Sequence, residues 1–136
     1  MRFREAKPAD RDKVTALWHA CGLTREWNDP VRDFDFALSG ATSTILVHEI
    51  AGVIVATVMV GHDGHRGAVY YLAVAPEHQQ KGLGRAAVDV AENYLKKLGV
   101  WKINLMIRSE NEMAVGFYKA IGFETNAVMS MGKRIG

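Results

Sequence analysis

The chain has 136 residues, of which 49% are hydrophobic and 24% charged, and its formal net charge is +2. This length suits a single domain over residues 1–136, and so small a net charge gives no reason to expect nucleic acid as a partner. No apolar stretch approaches a membrane span, no signal peptide is evident, and the single cysteine, Cys21, cannot form an intrachain disulfide, so we expect a cytoplasmic protein without a membrane partner.

Short elements fill the first half of the chain. Residues 2–6 suit an edge strand, and the next segment has apolar residues at helical spacing. Asp29 followed by Pro30 is a typical helix start and predicts a second helix. Apolar, β-branched residues over 44–50 and 53–60 flank a tight-turn signal and predict an antiparallel hairpin. The residues expected to be buried in the two helices are Val14, Leu17, Trp18, Cys21, Val31, Phe34, Ala37 and Leu38.

The second half alternates strands and helices. Residues 68–75 predict a strand, a helix follows as far as position 98, and residues 101–107 predict another strand. Asn111 suits the cap of a last helix, and two short strands over 123–125 and 128–133 close the chain. The order β-α-α-β-β-β-α-β-α-β-β predicts an α/β domain with one central sheet and helices on both faces. The residues expected to be buried in these two helices are Leu83, Ala87, Val90, Ala91, Tyr94, Leu98, Met113, Phe117, Ala120 and Ile121.

The most informative motif lies between the 68–75 strand and the helix after it, and reads Gln79-Gln80-Lys81-Gly82-Leu83-Gly84-Arg85. Backbone N–H groups at a helix start are unpaired, and the helix dipole adds positive potential there. No Lys-Ser/Thr pair follows the glycines as in a Walker motif, and the first glycine of a dinucleotide fingerprint is missing. The motif therefore predicts an anion site for a nucleotide-type cofactor. The structural alternative is that the glycines only let the helix pack closely on the strand.

A second motif reads Asn111-x-x-Ala114-x-x-x-Tyr118-x-x-x-Gly122-Phe123. Tyr118 is either a tyrosine at the edge of the core or a proton donor that faces a cleft. Together the two motifs resemble the GNAT superfamily of N-acetyltransferases. In that family, Gln/Arg-x-x-Gly-x-Gly/Ala after a strand binds the pyrophosphate of acetyl-CoA, and the later motif contains a helix-cap asparagine and a tyrosine. The order of elements also fits, so the resemblance extends over residues 2–133.

The resemblance implies a GNAT-type mixed, mostly antiparallel sheet and acetyl-CoA as co-substrate. No metal is expected, because two imidazoles at His62-x-x-His65 in a glycine-rich loop are weak evidence for a metal site. Backbone groups of residues 72–74 would pair with the pantetheine arm, and backbone N–H groups of residues 80–85 would hold the pyrophosphate. Asn111 would contact the pantetheine portion. The full set of cofactor-binding residues implied in this way is Leu72, Ala73, Val74, Gln79, Gln80, Lys81, Gly82, Leu83, Gly84, Arg85 and Asn111.

The chemistry implied by the resemblance is direct attack of a neutral amine on the thioester. Tyr118 would protonate the departing CoA thiolate, and a backbone N–H near Leu72 or Ala73 would polarise the thioester carbonyl. No covalent nucleophile is evident, and Cys21 lacks an activating context. The partner is an amine acceptor, either a small molecule or a peptide. A non-catalytic acyl-CoA sensor module is the alternative function, and a domain without any ligand is a third.

The acceptor side is less well defined. Enzymes that acetylate the N-terminal alanine of a ribosomal protein carry a glutamate five positions before the cap asparagine, and here that position is Met106, which cannot act as a base. Glu26, Asp63 and His65 are the candidate bases, and the alternative for Asp63 is an Asx turn.

Three side chains are candidates for lining the acceptor pocket. Trp27 would contribute an indole unless it packs in the core, Arg66 would bind an acidic group unless it is only solvated, and Tyr71 precedes the segment expected to polarise the thioester. The stretches 27–30, 61–67 and 70–72 look like a subgroup of small bacterial acetyltransferases. Apolar residues near the C-terminus, Val128, Met129 and Met131, suggest a homodimer.

Overall fold

A five-stranded sheet organises the N-terminal part of the protein. The computed structural model describes residues 1–136, which form two compact units, residues 1–104 and residues 105–136. The first unit contains β1 (Arg4–Glu5), α1 (Arg11–Ala20), α2 (Pro30–Ser39), β2 (Ser43–Ile50), β3 (Val53–His62), β4 (Gly67–Val74), α3 (Leu83–Lys97) and β5 (Ile103–Asn104), with short 3-10 turns at Pro8–Asp10 and Pro76–His78. The second unit contains α4 (Glu112–Ala120). No helix has the length and hydropathy needed to span a membrane.

The strands follow one another in the sheet in chain order. The β1–β2, β2–β3 and β3–β4 pairs are antiparallel, and β5 pairs with β4 in parallel. The β4–β5 ladder consists only of Gly67 opposite Ile103 and Ala68 opposite Asn104. Beyond Ala68, that edge of β4 therefore has no strand beside it, which leaves main-chain groups available for another partner.

Helices cover both faces of the sheet. Trp18 of α1 and Phe34 of α2 are fully buried, and the Trp18 indole N–H reaches Thr57 on β3. On the other face, α3 packs so closely that a Cβ on Gly67 would collide with Leu95. Successive side chains of β3 alternate between the faces, and residues 54–58 are all buried. This explains why β3 reads as an almost unbroken apolar run.

Two features of the second unit differ from the sequence prediction. Residues 123–125 and 128–133 were expected to be strands, but they form no strand, and Met129 is 85% exposed. Short apolar stretches have strand character only where an edge is available to pair with, so composition alone was misleading here. The expected buried face of α4 was also wrong in part, since Met113 is 85% exposed and Ala120 is exposed.

The helix faces of the first unit are nearly as expected, with small rotations. In α2, Phe34 and Ala37 are buried but Val31 is exposed. In α3, Val88 and Leu95 occupy the buried face, whereas Leu98 lies beyond the helix and is 46% exposed. Of the strand expected over 101–107, only the two residues of β5, Ile103–Asn104, form a strand. The fold class, a mixed and mostly antiparallel sheet with helices on both faces, is confirmed.

Candidate active site

The N-terminus of α3 has the properties of an anion site. Gly82 is its N-cap, no side chain caps it, and its first turn contains no acidic residue. Ala86 N–H donates to the Gly82 carbonyl, so the N–H groups of Leu83, Gly84 and Arg85 precede the first intrahelical bond. These donors and the helix dipole together present positive potential at the turn.

The backbone of this turn depends on left-handed residues. Gly82 has a φ of +82° and Gln80 a φ of +65°. Such turns can gather successive N–H groups into an anion-binding concavity. The nearest atom to a Cβ built on Gly82 is Met1 Cε at 3.8 Å, so glycine is needed there for its backbone freedom and not for space. Lys81 and Arg85 are exposed beside the turn, and neither is in a salt bridge.

The turn is tied to the end of β4. Gln79 Nε2 donates to the Val74 carbonyl across 3.1 Å, and the Cys21 thiol donates to the same oxygen across 3.3 Å. Burial raises the pKa of the Cys21 thiol, which therefore stays protonated and serves as a donor, although Cys21 is only half-buried and not fully buried as expected. These two bonds hold the last carbonyl of β4 next to the anion site.

A β-bulge interrupts β4 before it reaches this turn. The register with β3 shifts between Thr57 and Met59, and Tyr71 has a φ of +49°. Thr57 Oγ1 donates to the Tyr71 carbonyl across 3.0 Å and accepts from Trp18 Nε1 across 2.9 Å. Bulges often re-aim backbone groups beside active sites. Here the bulge consists of Tyr71 and Leu72 opposite Val58, and Ala73 and Val74 follow it directly.

The side chain of Tyr71 links β4 to the first turn of α2 and to the loop before it. Its hydroxyl donates to Asp33 Oδ2 across 2.7 Å, and Asn28 Nδ2 lies 2.6 Å from the same oxygen and 3.1 Å from the tyrosine hydroxyl. Its ring stacks on Trp18 with centroids 3.8 Å apart. Burial and then the bond to Asp33 raise the pKa of Tyr71 well above its usual range, so the hydroxyl stays protonated.

The loop before α2 forms one wall of an open cleft. Arg25 and Asn28 form an isolated bridge, which leaves Glu26 and Trp27 at the tip of a tight turn, and Trp27 is 62% exposed. The cleft has a volume of about 700 Å³. Its lining comes from α1, this loop and the start of α2, and comprises Asp12, Thr15, Ala16, His19, Thr24, Arg25, Glu26, Pro30 and Val31.

The polar loop between β3 and β4, residues 63–66, lies far from the bulge in β4. Asp63 Oδ1 accepts from the backbone N–H groups of His65 and Arg66, at 2.9 and 2.8 Å, so this carboxylate closes an Asx turn and its pKa is lowered. The Arg66 guanidinium stacks 5.1 Å from the centre of the Trp101 ring. Leu72 lies five residues beyond Gly67, roughly 16 Å along the strand at about 3.3 Å per residue. The structure therefore separates Asp63, His65 and Arg66 from the bulge.

The second unit contains the two residues of the later motif. Asn111 caps α4, because its Oδ1 accepts from Ala114 N–H across 3.1 Å. Tyr118 is half-buried, and Phe117 and Phe123 each contact it edge to face. Burial raises the pKa of Tyr118 to about 12, so its hydroxyl carries a proton at neutral pH and can donate it. In the same unit, the Ser130 hydroxyl donates to Met106 Sδ across 3.0 Å.

Sequence reasoning missed four residues of this region, namely Trp18, Asn28, Asp33 and Thr57. Thr57 and Trp18 are 39 positions apart, and no local pattern announces their bond. For Asp33 the sequence contains a weak cue, because this residue lies one helical turn after the Asp29 cap. In the structure its backbone N–H donates to the Asp29 carbonyl. No group of three or more His, Cys, Asp or Glu side chains is arranged to hold a metal ion.

Comparison with known proteins gives a consistent picture. The profile of the acetyltransferase (GNAT) family matches residues 11–123. The acetyltransferase YE1169 of Yersinia enterocolitica is 38% identical over 135 residues, which is 99% of this chain and 96% of that protein.

Two solved structures illustrate the fold. The aminoglycoside N-acetyltransferase AAC(6')-Iy in complex with CoA superimposes with a TM-score of 0.83 at 14% identity, over 98% of this chain and 95% of that one. An acetyltransferase from Clostridium acetobutylicum, solved with acetyl-CoA, gives a TM-score of 0.77 at 18% identity, over 96% and 95% of the two chains.

Proposed function

Because the chain belongs to the acetyltransferase (GNAT) family, we propose that it transfers acetyl directly from acetyl-CoA to a primary amine of a small molecule or peptide. The observation that carries this proposal is the uncapped start of α3, where Gly82 adopts a φ of +82° eight residues after the end of a strand with an open edge. Similar folds hold CoA or acetyl-CoA, which agrees with this assignment.

The residues present fit acetyl-CoA. A pyrophosphate needs several N–H donors and no nearby carboxylate, and the first turn of α3 meets both requirements. Lys81 and Arg85 add positive charge. A pantetheine arm contains amides that can pair with a strand edge, and β4 beyond Ala68 offers such an edge. We assign this pairing to Leu72, Ala73 and Val74, with Gln79 holding the end of the strand and Asn111 contacting the pantetheine.

In the proposed reaction, acetyl-CoA supplies an activated acetyl thioester. A backbone N–H at Leu72 or Ala73 polarises the carbonyl, and donors of this kind are worth about 10²–10³ in rate. Tyr118 donates the proton that the departing sulfur needs, and its hydroxyl, with a pKa raised by burial to about 12, is protonated at neutral pH. General acid help of this kind contributes roughly 10²–10⁴-fold.

The amine must lose a proton, and Glu26 is the first candidate for the base. Glu26 lines the cleft, and Asn28, two residues later, bonds to Tyr71 beside the bulge. Asp63 and His65 remain candidates only if a water chain bridges the length of β4. Mutation of Glu26 to glutamine tests this role, because a base assignment requires a large loss of kcat with little change in acetyl-CoA affinity.

We place the acceptor beside Trp27 and Tyr71, and we favour a small-molecule amine. Met106 occupies the position where the enzymes that acetylate the N-terminal alanine of a ribosomal protein have a glutamate. Arg66, the third candidate for the acceptor pocket, lies at the other end of β4 and stacks on Trp101.

Two finer assignments accompany this proposal. We propose that the chain groups with the small bacterial acetyltransferase YpeA within the family, because the stretches 27–30, 61–67 and 70–72 resemble that protein. The exposed apolar residues at 128–131 support a homodimer, which analytical ultracentrifugation would test.

Isothermal titration with acetyl-CoA tests the function at its first step. We expect saturable binding with a dissociation constant in the micromolar range, followed by release of CoA thiol when a suitable amine is added. Absence of binding at high micromolar concentration would refute the proposal. Binding without thiol release across a broad amine panel would favour the alternative of an acyl-CoA sensor.

A further inference from the structure

Thr57 is a buried polar residue in the middle of an apolar strand. Its side chain has no solvent exposure, and the structure gives its hydroxyl two partners, the indole N–H of Trp18 at 2.9 Å and the carbonyl oxygen of Tyr71 at 3.0 Å. A buried hydroxyl in a strand core costs stability unless both partners are present. Valine has nearly the same shape, so packing alone gives no reason for a threonine here.

The direction of both hydrogen bonds is determined by chemistry. An indole nitrogen can only donate, so Thr57 Oγ1 accepts from Trp18. A carbonyl can only accept, so the single hydroxyl proton of Thr57 points at the Tyr71 oxygen. Trp18 therefore keeps the Thr57 proton available for Tyr71, and the ring of Trp18 also stacks on the Tyr71 ring.

The Tyr71 carbonyl belongs to the same peptide group as the Leu72 N–H. The chain contains no cis peptide bond, and in a trans peptide the C=O and N–H bonds point in opposite directions. Because the Tyr71 carbonyl points at Thr57, the Leu72 N–H points away from it. On its other side, β4 has no strand partner at this position, since β5 pairs only with Gly67 and Ala68.

We propose that Thr57 and Trp18 are positioning residues that hold the Tyr71–Leu72 peptide so that the Leu72 N–H is the donor to the acetyl carbonyl. This inference rests on the proposed function, and it chooses between Leu72 and Ala73. Tyr71 is an aromatic residue at a φ of +49°, which is a conformation that needs external support. The hydroxyl of Thr57 supplies that support, and hydrogen bonding at the carbonyl also polarises the N–H of the same peptide.

The test compares Thr57→Val with Thr57→Ser, which keeps the hydroxyl. The first readout needs no ligand and consists of the ¹H–¹⁵N NMR signal of the Leu72 amide and its hydrogen exchange. We expect Thr57→Val to shift this signal and change its exchange by about tenfold or more, while Thr57→Ser stays close to the wild type. Trp18→Phe is a further variant that keeps an aromatic ring on Tyr71 but removes the indole donor, and we expect a smaller change of the same kind.

The second readout is kinetic and is made with acetyl-CoA and any amine that supports turnover. We expect Thr57→Val to lower kcat by about 10- to 100-fold, with the Kd for CoA, which lacks the acetyl group, changed less than about twofold. Thr57→Ser should restore most of kcat. An unchanged Leu72 amide in Thr57→Val, or in Trp18→Phe if the valine variant does not fold, would overturn the inference. A wild type that binds no acetyl-CoA would instead refute the proposed function, and the amide readout would still stand.

Discussion

Replacement of Gly82 by alanine is the sharpest test of the anion site. Gly82 is the N-cap of α3 and has a φ of +82° and a ψ of 7°, a conformation that side chains with a Cβ disfavour. The added methyl group meets no close neighbour, since the nearest atom is Met1 Cε at 3.8 Å. The substitution therefore strains the backbone of the turn without a steric clash.

The expected cost has two parts. An L-residue held in the left-handed region loses roughly 1–2 kcal/mol, partly offset by about 0.4–1 kcal/mol from the less flexible unfolded chain. The net loss of about 1 kcal/mol corresponds to a decrease in Tm of about 4 °C for a chain of this size. If the turn relaxes away from the left-handed conformation, one charge-assisted hydrogen bond to the pyrophosphate is lost, at about 1.5–3 kcal/mol or roughly 10- to 100-fold in Kd.

Gly99 provides a matched control at the other end of α3. Its φ is +87° and a Cβ there has nothing within 4 Å, so Gly99→Ala has the same backbone penalty far from the turn. Thermal unfolding should show similar losses for the two variants. Isothermal titration with acetyl-CoA should show weaker binding only for Gly82→Ala. Equal acetyl-CoA affinities in the two variants, with Gly82→Ala folded, would refute the assignment of the anion site to this turn.

Three further predictions concern other parts of the molecule. Tyr118→Phe should lower kcat by about 100-fold with little change in acetyl-CoA affinity, and an unchanged turnover number would remove Tyr118 from the acid role. Gln79→Ala deletes the hydrogen bond to the Val74 carbonyl, so it should weaken acetyl-CoA binding by about 2- to 10-fold while the Tm changes little. An acetyl-CoA affinity equal to that of the wild type, measured by isothermal titration, would contradict this prediction. The Arg4 guanidinium lowers the pKa of Asp10 to about 2, so the stability from this carboxylate is present at neutral pH and is lost as pH falls from about 4 through 2. Asp10→Asn should therefore have a lower free energy of unfolding than the wild type at pH 7. Urea unfolding should show that this difference in free energy shrinks in strong acid. A difference that stays constant with pH would show that the carboxylate charge is not responsible.

Local features of the fold could be predicted because their causes are local. Asp29 and Asn111 cap their helices through their own side chains, which accept from the N–H groups two and three residues later. The left-handed turn at Gly82 was signalled by glycine in a strand–turn–helix context. In each case, a few consecutive residues determine the feature.

The bulge in β4 could not be predicted, because it depends on register between distant strands. Tyr71 is not a glycine, and nothing beside it in sequence indicates a φ of +49°. Its support comes from Thr57, 14 residues earlier, and from Trp18, which is a further 39 residues before Thr57. The apolar pattern of β3 correctly predicted burial of the strand but did not distinguish the one position where a hydroxyl has two partners.

The loop at 63–66 lies too far along β4 for Asp63 and His65 to be the first candidates for the base, and the strand length alone could have indicated this. A hairpin loop directly precedes Gly67, whereas the expected thioester site begins at Leu72, five residues later. At about 3.3 Å per residue, this spacing alone places the two roughly 16 Å apart. The same argument separates Asp63 and His65 from the bulge and leaves Glu26 as the first candidate for the base.

The most direct test of the central claim is acetyl transfer itself, measured with acetyl-CoA and a pooled amine library. Free CoA thiol would be followed in a colorimetric assay, and acetylated products would be identified by mass spectrometry. We predict saturable thiol release that requires both the protein and an amine, with one acetyl group gained per CoA released. Acetyl-CoA that remains intact with every amine, together with no heat of binding on titration, would contradict the account.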